Sequence, residues 1–231
     1  MPVKKSVATA APAIEAQLAA AIAWLRSHAS QATRDGMARY GIPGDHALGV
    51  PMKDIKQLGK QLGRHHQLAQ ALWASGIYEA RMLTQFVADP MKISAAEMDR
   101  WCKSFDNWAY CDALSFNLFD RTPHAWKMVD QWTASRQEFV RRTAFALLWS
   151  LALHDRNAPD HAFRHGLQLI EDAATDDRHF VKKAVSMALK AIARRPALKA
   201  AAAATAGRLA ATDDSTARWI GRDALRDFSR R

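Results

Sequence analysis

The sequence predicts an all-α chain built from stacked helix pairs, and three observations carry that prediction. Apolar residues recur three and four positions apart through most of the 231 residues, the spacing of a buried helical face. Short breakers containing Pro or Gly cut this pattern into segments of roughly 10–18 residues, a normal helix length. Only 10 Gly and 8 Pro are present, too few for a turn-dense sheet protein, and no alternating run reads as a strand.

Taken in order, residues 1–11 are expected to be a flexible tail and residues 12–231 a single repeat domain. Lys4 and Lys5 precede an Ala-rich run, but Glu15 and Gln17 interrupt it and Arg26 and His28 close it. That pattern predicts an amphipathic helix over 12–31 rather than an export signal. Residues 32–50 are the least regular stretch and contain Pro43-Gly44 and Gly49-Val50-Pro51. Helices follow at 51–63, 66–75 and 77–89, separated by Gly76 and ended by Asp89-Pro90. Ser94 and Asp106 are expected to cap helices over 94–104 and 107–118. Pro123 and Pro159 sit where helix starts favour proline, giving 123–134, 137–154 and 159–174. Helices over 178–194, 197–211 and 214–229 complete the chain, the last capped by Asp213. The run Ala200 to Ala204 predicts a thin helix that neighbours can approach closely.

The last third carries a repeat. Phe139-Val140-Arg141-Arg142-Thr143-Ala144 resembles Phe180-Val181-Lys182-Lys183-Ala184-Val185, 41 residues later, and Trp219-Ile220-Gly221-Arg222 is a weaker copy after 39 more. A period near 40 with two helices per unit predicts a HEAT-like helical-repeat solenoid. Such arrays stack into a curve with one concave face. Arg142, Lys183 and Arg222 occupy matching positions and are expected to form a basic stripe along it.

The charge balance narrows the partner. Lys and Arg total 33 against 23 Asp and Glu, a net charge of +10. That surplus favours a polyanion, with nucleic acid ahead of a membrane surface. No apolar stretch is long enough to span a bilayer. Cys102 and Cys111 are too few for a disulfide scaffold or a four-cysteine zinc site and read as reduced cytoplasmic thiols. His161 and His165 have a metal-compatible spacing but lack an intervening Glu and a third ligand, so no metal is expected. No phosphate-binding or dinucleotide glycine motif is present, and no cofactor is expected.

One segment carries candidate chemistry. In Asp106-Asn107-Trp108-Ala109-Tyr110-Cys111-Asp112, Trp108 and Asp112 are four residues apart and share a helix face. An indole beside a carboxylate makes a receptor for a cationic, sugar-like group. One ion contact at 4 Å and an effective dielectric near 20 is worth about 4 kcal/mol, or about a thousandfold in rate if it exists only in the transition state. The same spacing also suits a core tryptophan and a structural ion pair. Arg141 and Arg142 point about 100° apart, so one is expected to meet a phosphate or Asp112 and the other to be solvated.

These residues resemble the AlkD-like DNA alkylation-repair glycosylases, an all-helical family of HEAT-like repeats. The resemblance runs over residues 20–230, through Met37-Ala38-Arg39-Tyr40, Leu48-Gly49-Val50-Pro51, Leu72-Trp73 and Tyr78-Glu79-Ala80-Arg81. It is strongest at Asn107-Trp108 with Asp112, at Arg141-Arg142-Thr143-Ala144 and at Phe180-Val181-Lys182-Lys183-Ala184. By resemblance, Asp112, Trp108 and Arg142 are the catalytic residues. Tyr40, Arg81, Arg141, Lys182, Lys183, Met187 and Arg222 are the implied DNA contacts. Met187 stands where the family has a second tryptophan, replacing an aromatic wall by a thioether.

The resemblance implies a monomeric, cytoplasmic, monofunctional glycosylase acting on double-stranded DNA containing alkylated bases. Its substrates would be cationic purines such as 3-methyladenine and 7-methylguanine, excised without base flipping. Asp112 would stabilise the oxocarbenium-like sugar and guide a water, Trp108 would lie against the deoxyribose, and Arg142 would hold a phosphate and position Asp112. Two alternatives stay open. Met187 is compatible with a catalytically weak DNA-binding member of the fold, and HEAT-type arrays also serve as protein–protein scaffolds.

Overall fold

Helices form where the apolar period and the breakers place them. The computed structural model describes residues 7–230, with side chains from residue 13 onward. Residues 1–6 of the expected tail lie outside the described residues. All regular structure among the described residues is helical, in thirteen α-helices and three 3₁₀ turns. Packing divides the described residues into two compact units, one up to residue 94 and one from residue 95 onward, where the sequence presents one repeat domain over 12–231.

The first unit contains α1 (Val7–Ser27), α2 (Gln31–Met37), α3 (Met52–Leu62), α4 (His66–Ala74) and α5 (Tyr78–Val87). Helix α1 starts earlier than the expected residue 12 and stops at Ser27, where Ser30 opens α2 by accepting from the Thr33 amide. No helix was expected over α2, because Gln31–Met37 has one buried apolar residue, Met37, and no apolar period. Helix α5 packs on α1, α3 and α4. Its Glu79 is fully buried and accepts from the amides of Leu48 at 2.9 Å, Gly49 at 2.7 Å and Val50 at 3.3 Å. One internal carboxylate thus satisfies three loop N–H groups that no helix pairs. Gly49 has φ +82 and a Cβ there would meet the Ser30 carbonyl, so the loop requires glycine.

The second unit contains α6 (Ala95–Lys103), α7 (Trp108–Asn117), α8 (Ala125–Thr133) and α9 (Glu138–His154), then α10 (Asp160–Asp172), α11 (His179–Ile192), α12 (Lys199–Ala210) and α13 (Ser215–Ser229). The second helices of successive pairs form a row: α7 packs on α9, α9 on α11 and α11 on α13. Helix α9 is central, with Phe145, Leu147 and Leu148 fully buried. The Ala-rich α12 is approached so closely by α13 that a Cβ on Gly221 would stand 2.3 Å from the Ala210 amide nitrogen.

Two caps differ from expectation by one residue. Asn107, not Asp106, caps α7, and Asp214, not Asp213, caps α13. In each case two capping-competent residues are adjacent, and the second has the extended backbone that aims its oxygen at the free amides.

Candidate functional site

The site grows from the start of α7. Asn107 is buried, and its side-chain oxygen accepts from the amides of Ala109 at 3.0 Å and Tyr110 at 3.3 Å. That cap fixes the first turn and places Trp108 and Asp112 one turn apart, both half-buried. The Cys111 thiol between them bonds the Phe139 carbonyl at 3.4 Å and ties α7 to the first turn of α9.

Arg142 reaches Asp112 from α9. Its Nη2 donates to Asp112 Oδ1 at 2.8 Å and Oδ2 at 2.7 Å, and its Nη1 donates to the Phe180 carbonyl on α11 at 2.8 Å. The guanidinium lies 5.9 Å from the Trp108 ring centre and 5.8 Å from that of Phe180. One arginine therefore joins three successive helices of the row. It is only 4% exposed, whereas the Asp112 side chain keeps 23% of its surface. The carboxylate is reachable and its counter-ion is not.

Burial raises the Asp112 carboxyl above the usual carboxylate value of 3.8, against the lowering pull of Arg142 through charge and hydrogen bonding. The acid is thus held in place by one strong partner yet is more basic than an ordinary aspartate. Cys102 and Cys111 are buried free thiols. Burial pushes Cys111 up to about 12, which removes it as a nucleophile near neutral pH. Among the described residues, no three His, Cys, Asp or Glu side chains stand close enough to hold a metal.

The sequence-expected contacts are placed as follows. Arg141 is not solvated: its Nη1 pairs with Asp176 at 2.9 Å, and Arg178 meets the same carboxylate. Arg142 is withdrawn from the expected stripe with Lys183 and Arg222, because its charge is buried against Asp112, while those two are exposed. A phosphate role for Arg142 does not fit this geometry, since both terminal nitrogens are engaged inside the protein and Nε is buried. Lys182 sits 5.6 Å from the Trp219 ring centre, and Met187 is half-buried on α11. In the first unit Tyr40 is 68% exposed, and Arg81 lies over Trp73 at 5.2 Å with its Nε on the Trp73 carbonyl.

Sequence reasoning missed three participants. Phe180 contributes a backbone carbonyl, which no side-chain pattern announces. Trp219 and Asp223 share one face of α13 at the same four-residue spacing as Trp108 and Asp112, a signal present in the sequence.

A sequence model described as DNA alkylation repair enzyme matches residues 21–228. No curated protein matches the sequence. Among solved structures, one is described as from a new family of proteins related to the HEAT-like repeat DNA glycosylases, with affinity for branched DNA structures. It is 20% identical with a TM-score of 0.74, covering 89% of this chain and 91% of its own. A protein of Streptococcus mutans matches at 18% identity and a TM-score of 0.56, covering 75% of this chain and 90% of its own. These likenesses show that the fold is a HEAT-like repeat.

Proposed function

The chain belongs to the DNA alkylation repair enzyme family, and from that premise we propose that it hydrolyses the N-glycosidic bond of cationic alkylated purines in duplex DNA. One observation carries the reading: a reachable, basic-shifted carboxylate, Asp112, braced by the buried Arg142 beside the Trp108 indole.

The chemistry follows from charge. A base such as 7-methylguanine or 3-methyladenine already carries a positive charge. It leaves with the electron pair of the breaking C1′–N bond and departs neutral, so no general acid is required. The sugar left behind resembles an oxocarbenium ion. Asp112 stabilises that cation, and a water adds to C1′ as its proton passes to the Asp112 carboxylate. Trp108 offers a π face to the developing positive charge. Arg142 acts through Asp112, as a positioning residue, by fixing both carboxylate oxygens. Nothing in this sequence of steps requires a base pocket, so the lesion stays stacked. The protein works as a cytoplasmic monomer on double-stranded DNA.

The test is release of methylated purines from a chemically methylated duplex. Wild type is expected to release 7-methylguanine, and Asp112→Asn to lose release while keeping duplex affinity. Equal rates for the two proteins overturn the mechanism.

A second reading rests on Met187, half-buried on α11 with a thioether where the family has an indole. The HEAT-like relative with affinity for branched DNA points to a protein that grips DNA junctions with little catalysis. Tight binding of a four-way junction with no base release selects that reading.

A further inference from the structure

The net charge of +10 is unevenly distributed. Residues 178–231 hold thirteen Lys and Arg against four Asp and Glu, while the remaining residues hold twenty against nineteen. Nearly the whole surplus belongs to α11, α12, α13 and their connections.

Within that segment, α11 and α13 build a second indole–carboxylate constellation. Asp223 is engaged by three donors: its Oδ2 accepts from Ser186 Oγ at 2.6 Å and Lys190 Nζ at 2.8 Å, and Arg226 stands 3.5 Å from Oδ1. Its charge is balanced by Lys190 and Arg226, and it clasps α11 to α13. One turn earlier, Lys182 Nζ lies 5.6 Å from the centre of the half-buried Trp219 ring. A cation–π contact uses no N–H hydrogen bond, so the ammonium keeps its donors for a phosphate oxygen. Among the described residues Lys182 has no carboxylate partner, and exposed Lys183 and Arg222 flank the pair in sequence and on the helix.

We propose that Lys182 and Trp219, held in register by the Ser186–Asp223–Lys190 clasp, form a non-catalytic seat for a deoxyribose-phosphate of the DNA backbone, displaced from the reacting nucleotide. The proposal rests on the reading that duplex DNA is the partner. Lys182 supplies the charge, Trp219 the flat apolar surface for the sugar, and Lys183 and Arg222 widen the attraction to neighbouring phosphates. Helix α13 lies three steps along the row from α7, which carries Asp112. At about 8–10 Å per helix step, Trp219 falls roughly eight base pairs of duplex from Asp112.

The test uses the full chain and undamaged linear duplex, with affinity measured by anisotropy across a salt series. The double variant Lys182→Gln with Trp219→Leu is expected to bind about tenfold more weakly, with a log K against log salt slope shallower by about one. Lys182→Arg is expected to retain both values. If the double variant loses helicity, the single Lys182→Gln, at a half-exposed position, takes its place. Shortening the duplex to about three base pairs on one side of a stable abasic analogue is expected to weaken wild type and leave the double variant unchanged. Wild-type affinity and salt slope in the Lys182 and Trp219 variants overturn the seat, as does a wild type with no duplex affinity. Failure of the catalytic reading looks different: wild type releases no methylated purine, yet these variants still lose affinity.

Discussion

Two regions of the second unit carry the same four-residue indole–acid spacing and differ in what surrounds the acid. On α7, Asp112 has one cationic partner, and burial dominates to lift its carboxyl above 3.8. On α13, Asp223 is also pushed up by burial, but hydrogen bonds from Lys190 and Ser186 and the Lys190 charge outweigh that and leave it below 3.8. The two side chains are about equally exposed, at 23% and 26%, but one acid is kept basic beside a single cationic partner and the other is saturated by several donors. Spacing places an acid beside an indole, and the number of donors from the next helix decides whether it does chemistry or holds helices together.

The largest test of that contrast is in rate. Asp112→Asn is expected to lower base release about a thousandfold, the worth of one ion contact of about 4 kcal/mol. Asp223→Asn is expected to stay within about threefold of wild type, a difference under 1 kcal/mol on the same scale. Single-turnover release from methylated duplex measures both, and a comparable loss in the two variants breaks the comparison.

Next comes stability. Arg142→Met removes the partner of a largely buried acid and is expected to cost about 3 kcal/mol. Lys190→Met breaks a pair whose side chains keep 24% and 26% of their surface, and is expected to cost about 1 kcal/mol. Urea unfolding of both variants ranks them, and the reverse order contradicts the burial argument.

Acid titration then separates the two carboxyls by sign. Base release needs Asp112 ionised, so activity falls as pH drops through its raised value, above the 3.8 of an ordinary aspartate. Stability runs oppositely at the two sites. Asp223, depressed by folding, contributes stability that is present above 3.8 and lost as pH falls through its lower value. Asp112, raised by folding, costs stability as pH rises through its value. Carboxyl NMR of the folded protein, with Asp112→Asn and Asp223→Asn for assignment, reads both directions.

The smallest expected effect is a gain. Met187→Trp restores a π face on α11 and is expected to raise base release two- to fivefold, the worth of a cation–π contact of about 0.5–1 kcal/mol. An unchanged rate removes the second indole from the account of catalysis.

The sequence made the helices legible because Pro, Gly and the apolar period mark them; α9 and α11 fall within two residues of their expected ends. Helix α2 was illegible because seven residues with one buried side chain carry no period. The caps were misplaced where Asp106-Asn107 and Asp213-Asp214 offer two competent neighbours and backbone geometry chooses. At the site, the shared face of Trp108 and Asp112 followed from helix geometry. The choice of Arg142 over Arg141 did not, since it depends on which arginine points at α7. Asp176, which takes up Arg141, lies between α10 and α11.

A repeat array ordinarily tolerates whole units being added or lost, because each touches only its neighbours. Arg142 suspends that freedom, anchoring on the acid of α7 and the Phe180 carbonyl of α11 at once. Modular exchange of the helix pair α8–α9, or of the pair that follows, would unseat the acid even if every helix refolded.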